Sequence, residues 1–153
     1  MTTMTTVPLA VRRRLIATLL FGMYIAGCAS PTSQSTSSGQ LAPGTAQVRI
    51  DGHALAVEHR VSCTAEQFWT TITIGPDSQG AQAVIRNASG LIAESVRIRN
   101  LAGFTGSYWN GLGHDARVTA HGSTYTVEGT VAGFRADDPS RSATSTFEIR
   151  ASC

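Results

Sequence analysis

The sequence contains no lysine, and all 12 of its basic residues are arginine. Aromatic residues make up only 7% of the 153 residues. Without the three arginines at positions 12–14, the remaining chain has 9 basic and 10 acidic residues, a net charge of −1. A nearly neutral chain without a basic stripe lacks the electrostatic footprint of nucleic-acid binding. We therefore expect no nucleic-acid partner.

The sequence also lacks an apolar run long enough to span a bilayer near its N-terminus. The run at residues 15–25 has 11 residues, whereas a membrane-spanning helix needs about 20. It follows the basic cluster at residues 12–14, with no acidic residue before Cys28, and it is followed by small residues. This is the layout of a secretory signal that is cleaved off. The sequence therefore predicts a signal peptide at residues 1–27.

The end of that signal, Ile25-Ala26-Gly27-Cys28, resembles the lipobox of bacterial lipoproteins. A thiolate is a strong nucleophile, so Cys28 can take up a diacylglycerol as a thioether. Two or three acyl chains, such as palmitate, hold a protein stably on a membrane, whereas one chain binds only marginally. We expect S-diacylglycerol and N-acyl groups on Cys28, attached by the lipoprotein export and processing machinery. The protein would then sit on the extracytoplasmic side of the cell membrane, exported by the general secretory route in preference to the twin-arginine route.

Residues 28–46 are rich in serine and threonine and have almost no apolar content. Such a segment cannot bury enough surface to offset the entropy lost on ordering. We interpret it as a disordered tether acylated at Cys28. Its hydroxyl-rich composition makes it a candidate for O-glycosylation.

Two cysteines remain after Cys28, and these are Cys63 and Cys153. In an oxidising compartment, two remaining cysteines most simply form one disulfide. The bridge would close a loop of 91 residues, which a chain-entropy model credits with about 4–5 kcal/mol. Two free thiols or a metal-binding pair are the alternatives.

Residues 47–153 consist of short strand-like runs separated by turn signals. Asp51-Gly52 predicts a tight hairpin, and a second one is expected at His121-Gly122. Strict alternation in the last strand predicts that Phe147, Ile149 and Ala151 point inward. No convincing amphipathic helix is present. The pattern indicates one all-β domain, an antiparallel β-sandwich-like fold closed by one disulfide.

The lipobox, the tether, residues 48–52, Cys63, and the segments 121–130 and 145–153 together resemble the mycobacterial 19 kDa lipoprotein antigen family. The resemblance implies a surface-exposed, acylated cell-envelope antigen, with lipid on Cys28 and a Cys63–Cys153 disulfide. It implies no catalytic residues, and it suggests host innate receptors or envelope components as partners. The chain departs from the family in its shorter tether and in the aromatic pair Tyr108-Trp109.

No pattern in the sequence points to an active site, a cofactor or a metal. The four histidines, which are His53, His59, His114 and His121, lack the cysteines or carboxylates that would complete a metal site. Residues 111–116 match a relaxed dinucleotide fingerprint, but a strand-like run follows them where the mechanism needs a helix. Glu94 and Asp115 become a pair of acids only if the fold brings them together. We therefore expect a protein that is not an enzyme.

Three aromatic residues, Trp69, Tyr108 and Trp109, have both a structural and a functional interpretation. Aromatic side chains most often fill the core of a small sandwich, but they also line sites for glycans or lipids. They are the candidate ligand contacts of this chain. The leading hypothesis is a non-enzymatic surface antigen or binding module. The alternative is an envelope carrier that holds a lipid or another apolar ligand between its sheets.

Overall fold

The computed structural model describes residues 39–56, Glu58 and residues 60–153. Within these residues there is no helix, and the chain forms ten strands, so the all-β prediction is confirmed. The strands are β1 Ala46–Ile50, β2 His53–Ala54, β3 Val61–Glu66, β4 Trp69–Ile74, β5 Gly80–Arg86, β6 Ile92–Leu101, β7 Phe104–Trp109, β8 Ala116–His121, β9 Thr124–Arg135 and β10 Asp138–Ser152.

All strand pairs are antiparallel, and the order is β2-β1-β10-β9-β7-β6-β5-β4-β3, with β8 also paired to β9. The long strand β9 has two different neighbours on one edge, since its first half pairs with β8 and its last residues pair with β7. This split defines two layers. The first layer is β8-β9-β10-β1-β2, and the second layer is β7-β6-β5-β4-β3.

The two layers enclose one hydrophobic core. A single cluster of buried side chains contains Val48 and Ile149 from the first layer together with Ile72, Ile85 and Ile98 from the second. Alternation along each strand sends every second side chain to this interior. The sandwich-like prediction is confirmed, with one connected sheet folded over on itself supplying both faces. The predicted inward residues of β10 are all buried, which confirms that prediction too.

The crossing of β9 from one layer to the other depends on a pair of glycines. Gly106 on β7 lies directly opposite Gly133 on β9. A Cβ atom on Gly133 would lie 2.0 Å from the carbonyl oxygen of Thr105, a backbone atom that cannot rotate away. Close backbone approach of this kind is a usual reason for glycine inside a strand.

Both predicted hairpins form. At the first, Asp51 and Gly52 have φ values of 50° and 79°, the double positive φ of a type I′ turn. At the second, His121 is the last residue of β8 and pairs with Thr124, so the turn is Gly122-Ser123. The predicted turn was therefore placed one residue too early.

The disulfide joins the two layers. The Sγ atoms of Cys63 and Cys153 are 2.03 Å apart, and their Cα atoms are 5.8 Å apart. Cys63 lies on the edge strand β3 of the second layer, and Cys153 follows β10 of the first. The predicted disulfide is confirmed, and the alternatives of free thiols or a metal pair are excluded for these two residues.

The folded domain begins before the predicted boundary at Gln47. The carbonyl oxygen of Gly39 accepts a hydrogen bond from Arg150, at 2.6 Å, and Leu41 N–H donates to Thr124 Oγ1, at 3.1 Å. Ala46 is fully buried and pairs with β10. Residues 39–46 of the predicted tether therefore belong to the domain. Cys28 and the predicted signal peptide lie outside the described residues.

Asp51 fastens the first hairpin to the neighbouring strands. Its carboxylate accepts hydrogen bonds from Arg135, at 2.6 Å, Ser145 Oγ, at 2.7 Å, and Thr146 N–H, at 3.0 Å. Burial alone would raise the pKa of Asp51. The three hydrogen bonds and the positive charge of Arg135 outweigh burial and hold this pKa below its usual range.

We expect Asp51→Asn to lower the free energy of unfolding by about 1–3 kcal/mol at neutral pH, because hydrogen bonds to the carboxylate charge are lost. Asparagine tolerates the left-handed backbone of the turn. Because the pKa of Asp51 is lowered in the folded state, its carboxylate contributes fully to the free energy of unfolding above the usual aspartate pKa of about 3.9. This contribution disappears as the pH falls through the lowered pKa. Urea unfolding of both proteins over this pH range measures the effect.

Asp77→Asn is the matched control, because Asp77 is fully exposed and meets Arg99 only at 3.5 Å. This variant should leave the urea midpoint of unfolding essentially unchanged. A wild-type advantage over Asp51→Asn that stays constant from neutral pH to about pH 2 would contradict the assigned role of the carboxylate charge.

Candidate binding surface

The structure places the three candidate aromatic residues on opposite faces of the second layer. Trp69 begins β4 and Trp109 ends β7, and their side chains are 41% and 50% exposed on the outer face of the second layer. Tyr108 points the opposite way and is only 3% exposed. Alternation along β7 makes this difference obligatory, because consecutive side chains of a strand lie on opposite faces. Trp69 and Trp109 are available to an external ligand, and Tyr108 is a core residue.

An ion pair lies between the two tryptophans. Arg86 pairs with Trp69 across β4 and β5, and its Nε atom donates to Glu94 Oε1 at 2.5 Å. Asn110, next to Trp109, donates from its side chain to Glu94 Oε2 at 3.5 Å and from its backbone to the Glu94 carbonyl at 2.9 Å. The polar groups thus connect β5, β6 and the end of β7, and Arg86 lies opposite Trp69 of β4.

The position of Glu94 depends on an irregularity in β6. The register between β5 and β6 shifts at Val84/Ile85, so Glu94 is the additional residue of a β-bulge. A bulge bends its strand and redirects a side chain. Here it places the carboxylate of Glu94 within reach of both Arg86 and Asn110. The sequence offers no signal for this bulge.

Exposed apolar side chains collect at the same end of the second layer. The β3–β4 turn carries Phe68, the β5–β6 turn carries Leu91, and the β7–β8 loop carries Leu112, which is 72% exposed. Together with the two tryptophans they form the apolar tip, defined as Phe68, Trp69, Leu91, Trp109 and Leu112. Among the described residues, the other large exposed apolar side chain is Phe134, which pairs with Thr105 near the opposite end of β7.

Tyr108 and the two acids considered in the sequence lie near one another. Burial raises the pKa of the Tyr108 hydroxyl, and the negative charges of Asp115 and Glu94 raise it further. Glu94 is bound by Arg86, so the two acids do not form an isolated carboxylate pair. This arrangement keeps Tyr108 neutral and suits a packing role.

The histidines that the structure describes do not converge on a metal site. His53 is exposed on β2 at one edge of the first layer, and His121 is exposed at the end of β8 at the other edge. In the part of the chain that the structure describes, no group of three or more His, Cys, Asp or Glu residues could hold a metal ion. His59 lies outside the described residues.

The glycine loop at residues 110–115 has no nucleotide-binding geometry. It is followed by strand β8, whereas the dinucleotide motif requires a helix whose N-terminus faces the phosphates. Gly111 and Gly113 have φ values of 82° and 85°, so the glycines serve the turns of this loop. The loop instead presents Leu112 to solvent.

The outer face of the first layer carries a row of charges. The register places Arg49, Glu148, Glu128 and Arg117 side by side across β1, β10, β9 and β8. Arg49 and Glu148 form an ion pair at 3.4 Å. These residues line an open cleft of about 460 Å³. Because its walls carry two arginines and two glutamates from this row, the cleft does not select ligands of one charge.

The apolar cleft that a carrier would use is small. Val48, Leu55, Ile74 and Leu101 line a space of about 50 Å³ between β1, β4 and β6. Ligand pockets usually have volumes of about 300–1,000 Å³. Within the described residues, then, the interior between the sheets is filled by side chains. The described part of the chain contains no helix that is long and apolar enough to cross a bilayer.

Comparison with known proteins gives consistent matches over the domain. The family model described as Mycobacterium 19 kDa lipoprotein antigen matches residues 39–153. A protein named "Putative lipoprotein" from Mycobacterium avium subsp. hominissuis is 39% identical over 140 residues, which cover 91% of this chain and 92% of the relative. "Probable lipoprotein LppE" of Mycobacterium tuberculosis is 30% identical over 141 residues, with coverage of 92% and 98%. "Lipoprotein LpqH" of the same species is 33% identical over 115 residues, 72% of each chain.

Proposed function

The chain belongs to the mycobacterial 19 kDa lipoprotein antigen family and is an envelope lipoprotein, and from this premise we propose its anchor and its mode of action. The mature chain begins at Cys28, carries a diacylglycerol and an N-acyl group on that residue, and stays on the extracytoplasmic side of the membrane. Its β domain acts as a non-enzymatic binding module. The apolar tip with the Arg86–Glu94 pair is the surface that contacts its ligand.

Agreement between the N-terminal sequence and the relatives supports the anchor. A basic cluster, an apolar run of 11 residues and Ile25-Ala26-Gly27-Cys28 occur in the order that export and acylation require. The relatives are named lipoproteins, and LppE aligns over 92% of this chain. The match to the family begins at residue 39, the first residue that makes described contacts with the domain.

The exposed tryptophans carry the proposal of a binding module. Indole rings lose contact with water at little conformational cost and are frequent at binding surfaces. Trp69 and Trp109 lie on one face and flank an ion pair that can donate and accept hydrogen bonds. Family membership favours this role over catalysis, and the 50 Å³ apolar cleft disfavours the alternative of a lipid carrier.

The anchor is tested with the full chain expressed in a mycobacterial host, alongside Cys28→Ser. The wild-type product should have the mass of residues 28–153 plus one S-linked glyceryl group and three acyl groups, less two hydrogens for the disulfide. It should enter the detergent phase on phase separation and float with vesicles, because several acyl chains hold it there. Cys28→Ser should stay in the aqueous phase, since it cannot form the thioether.

Ser30→Ala is the control for a change next to the cleavage site, and it should be processed and lipidated normally. Protease added to intact spheroplasts should digest the domain if it faces outward. A wild-type mass that lacks acyl groups, or flotation of Cys28→Ser equal to that of wild type, would refute the anchor. Protection of the domain until the membrane is broken would refute the extracytoplasmic side.

A further inference from the structure

We propose that the apolar tip inserts into the headgroup region of the bilayer to which the chain is anchored. The domain would then lie on the membrane with this end of the second layer downward. The inference rests on the proposed anchor at Cys28 and assigns a partner, the lipid surface, to the proposed binding surface.

The apolar side chains of the tip lie together at one end of the second layer. Every second connection along this part of the chain, namely β3–β4, β5–β6 and β7–β8, lies at one end of the second layer because antiparallel strands return there. Each contributes a large apolar residue that does not belong to the core, namely Phe68, Leu91 or Leu112. Concentration of exposed apolar side chains at one end, with Phe134 as the exception elsewhere, marks an interaction surface.

The side chains of the tip are of the kinds that prefer a water–lipid interface. Tryptophan prefers the water–lipid interface because its ring is apolar and its N–H is polar. Trp69 and Trp109 stand beside the more apolar Phe68 and Leu112, which would reach deeper. Interfacial binding grows with the apolar area removed from water, so five such residues act together.

The charged groups in and around the tip are compatible with shallow insertion. Entering the headgroup region is costly for an unpaired charge, but Arg86 and Glu94 neutralise each other directly. Glu66 lies opposite Trp69 on the edge strand β3 and is exposed. Asp115 and His114 follow Leu112 in the same loop. These groups limit the tip to shallow insertion, in which Glu66 and Asp115 remain hydrated.

The segment of chain between the proposed lipid on Cys28 and the folded domain is short. Cys28 and Gly39 are 11 residues apart, and 11 residues span at most about 40 Å when fully extended. A domain of 115 residues has a radius of gyration of about 13 Å and a diameter of about 35 Å. The domain therefore always remains within about one diameter of the bilayer. At the high effective concentration that a short linker imposes, even a weak affinity of the tip for lipid is sufficient.

The two tryptophans make the proposal directly measurable. The chain has only two tryptophans, and both belong to the tip, so their fluorescence reports on this surface alone. The lipidated full-length product is reconstituted into phosphatidylcholine vesicles that are plain, brominated near the headgroup end of the acyl chains, or brominated near the chain terminus. We expect emission shifted to shorter wavelength, strong quenching by the shallow bromines and weaker quenching by the deep ones. Acrylamide should quench this sample less than unlipidated Cys28→Ser in solution.

Leu112→Ser and Phe134→Ser form a matched pair, since both remove an exposed apolar side chain and neither residue belongs to the buried core. Leu112→Ser should lower the equilibrium constant for insertion by about three- to tenfold, because one apolar side chain leaves the interface. Phe134→Ser should leave the quenching unchanged. Equal effects of the two variants would overturn the assignment to the tip.

Vesicle flotation separates this inference from the anchor. Wild-type protein that floats with the vesicles but shows equal emission in plain and brominated lipid would overturn insertion and leave the anchor intact. Protein that does not float would overturn both. A change in tryptophan emission on adding a soluble polysaccharide, with no bromine quenching, would overturn insertion and assign the tip to carbohydrate.

Discussion

Replacing Cys63 and Cys153 together with alanine should lower the free energy of unfolding by about 3–5 kcal/mol. The bridge spans a sequence separation of 90 residues, and a cross-link of that length restricts the unfolded chain strongly. In the folded state it ties the last residue to the edge strand of the second layer, and Cys63 also packs against the core. For a domain of 115 residues the melting temperature should fall by about 12–20 °C. Thermal unfolding followed by circular dichroism checks this result.

The two single cysteine variants show whether the loss of stability comes from the cross-link or from side-chain packing. Cys63→Ala and Cys153→Ala should each cost nearly as much as the double variant, because either change removes the same cross-link. Ser62→Ala, at an exposed position next to Cys63, should cost less than about 0.5 kcal/mol. Single losses that add up to the double loss would show that side-chain packing, and not the cross-link, carries the stability.

Phe104→Ala should lower the free energy of unfolding by about 3–5 kcal/mol, because it leaves a large cavity in the core. Phe104 is the largest of the fully buried side chains in the described part of the chain. Its ring fills the space beside Gly106, where a Cβ atom would lie 2.6 Å from Phe104 Cε1. The guanidinium group of Arg135 lies 6.0 Å from the ring centre, so a cation–π contact is lost as well.

Phe134→Ala is the same substitution at a neighbouring place in the fold and serves as the control. Phe134 lies on β9 next to Arg135, but it is 40% exposed. Its truncation should cost less than about 1 kcal/mol, since much of the ring already contacts water. Urea denaturation of both variants gives the two values. Equal losses would contradict the assignment of Phe104, and not Phe134, to the core.

The row of charges on the first layer and the apolar tip on the second layer differ in how well they suit a ligand. The row of charges on the first layer lines a cleft of about 460 Å³, but it contains groups of both signs. The apolar tip instead concentrates three exposed aromatic residues, namely Phe68, Trp69 and Trp109. A lipid surface is broad and soft, so it can take up several exposed apolar side chains at once.

Features that depend on neighbouring residues follow directly from the sequence. Asp51-Gly52 makes the first turn because both of its residues tolerate positive φ. Phe147 and Ile149 face inward because they alternate with polar residues in one strand. The disulfide followed from counting cysteines. The turn at Gly122 was shifted by one residue, because pairing of His121 with Thr124 is a property of the hairpin as a whole.

Features that depend on pairing between distant segments were decided by the tertiary structure. The sequence shows Tyr108 and Trp109 as neighbours with opposite faces, but only pairing with Val96 and Ser95 determines which of the two enters the core. The bulge at Glu94 and the split pairing of β9 likewise need the register of other strands. The apolar tip brings together Phe68, Leu91 and Leu112, which are more than 20 residues apart in the sequence.

By itself, then, the sequence determined the strand class of the domain, its first tight turn and the partners in its disulfide, and it predicts export and acylation signals at the N-terminus. These depend on local backbone preference, on alternation, or on chemistry that one residue type supplies. The tertiary structure alone decided which aromatic residues reach solvent, where the ion pair of Arg86 and Glu94 lies, and that Phe104 fills the core. Each of these depends on strand register, and register is fixed by contacts between residues far apart in the chain.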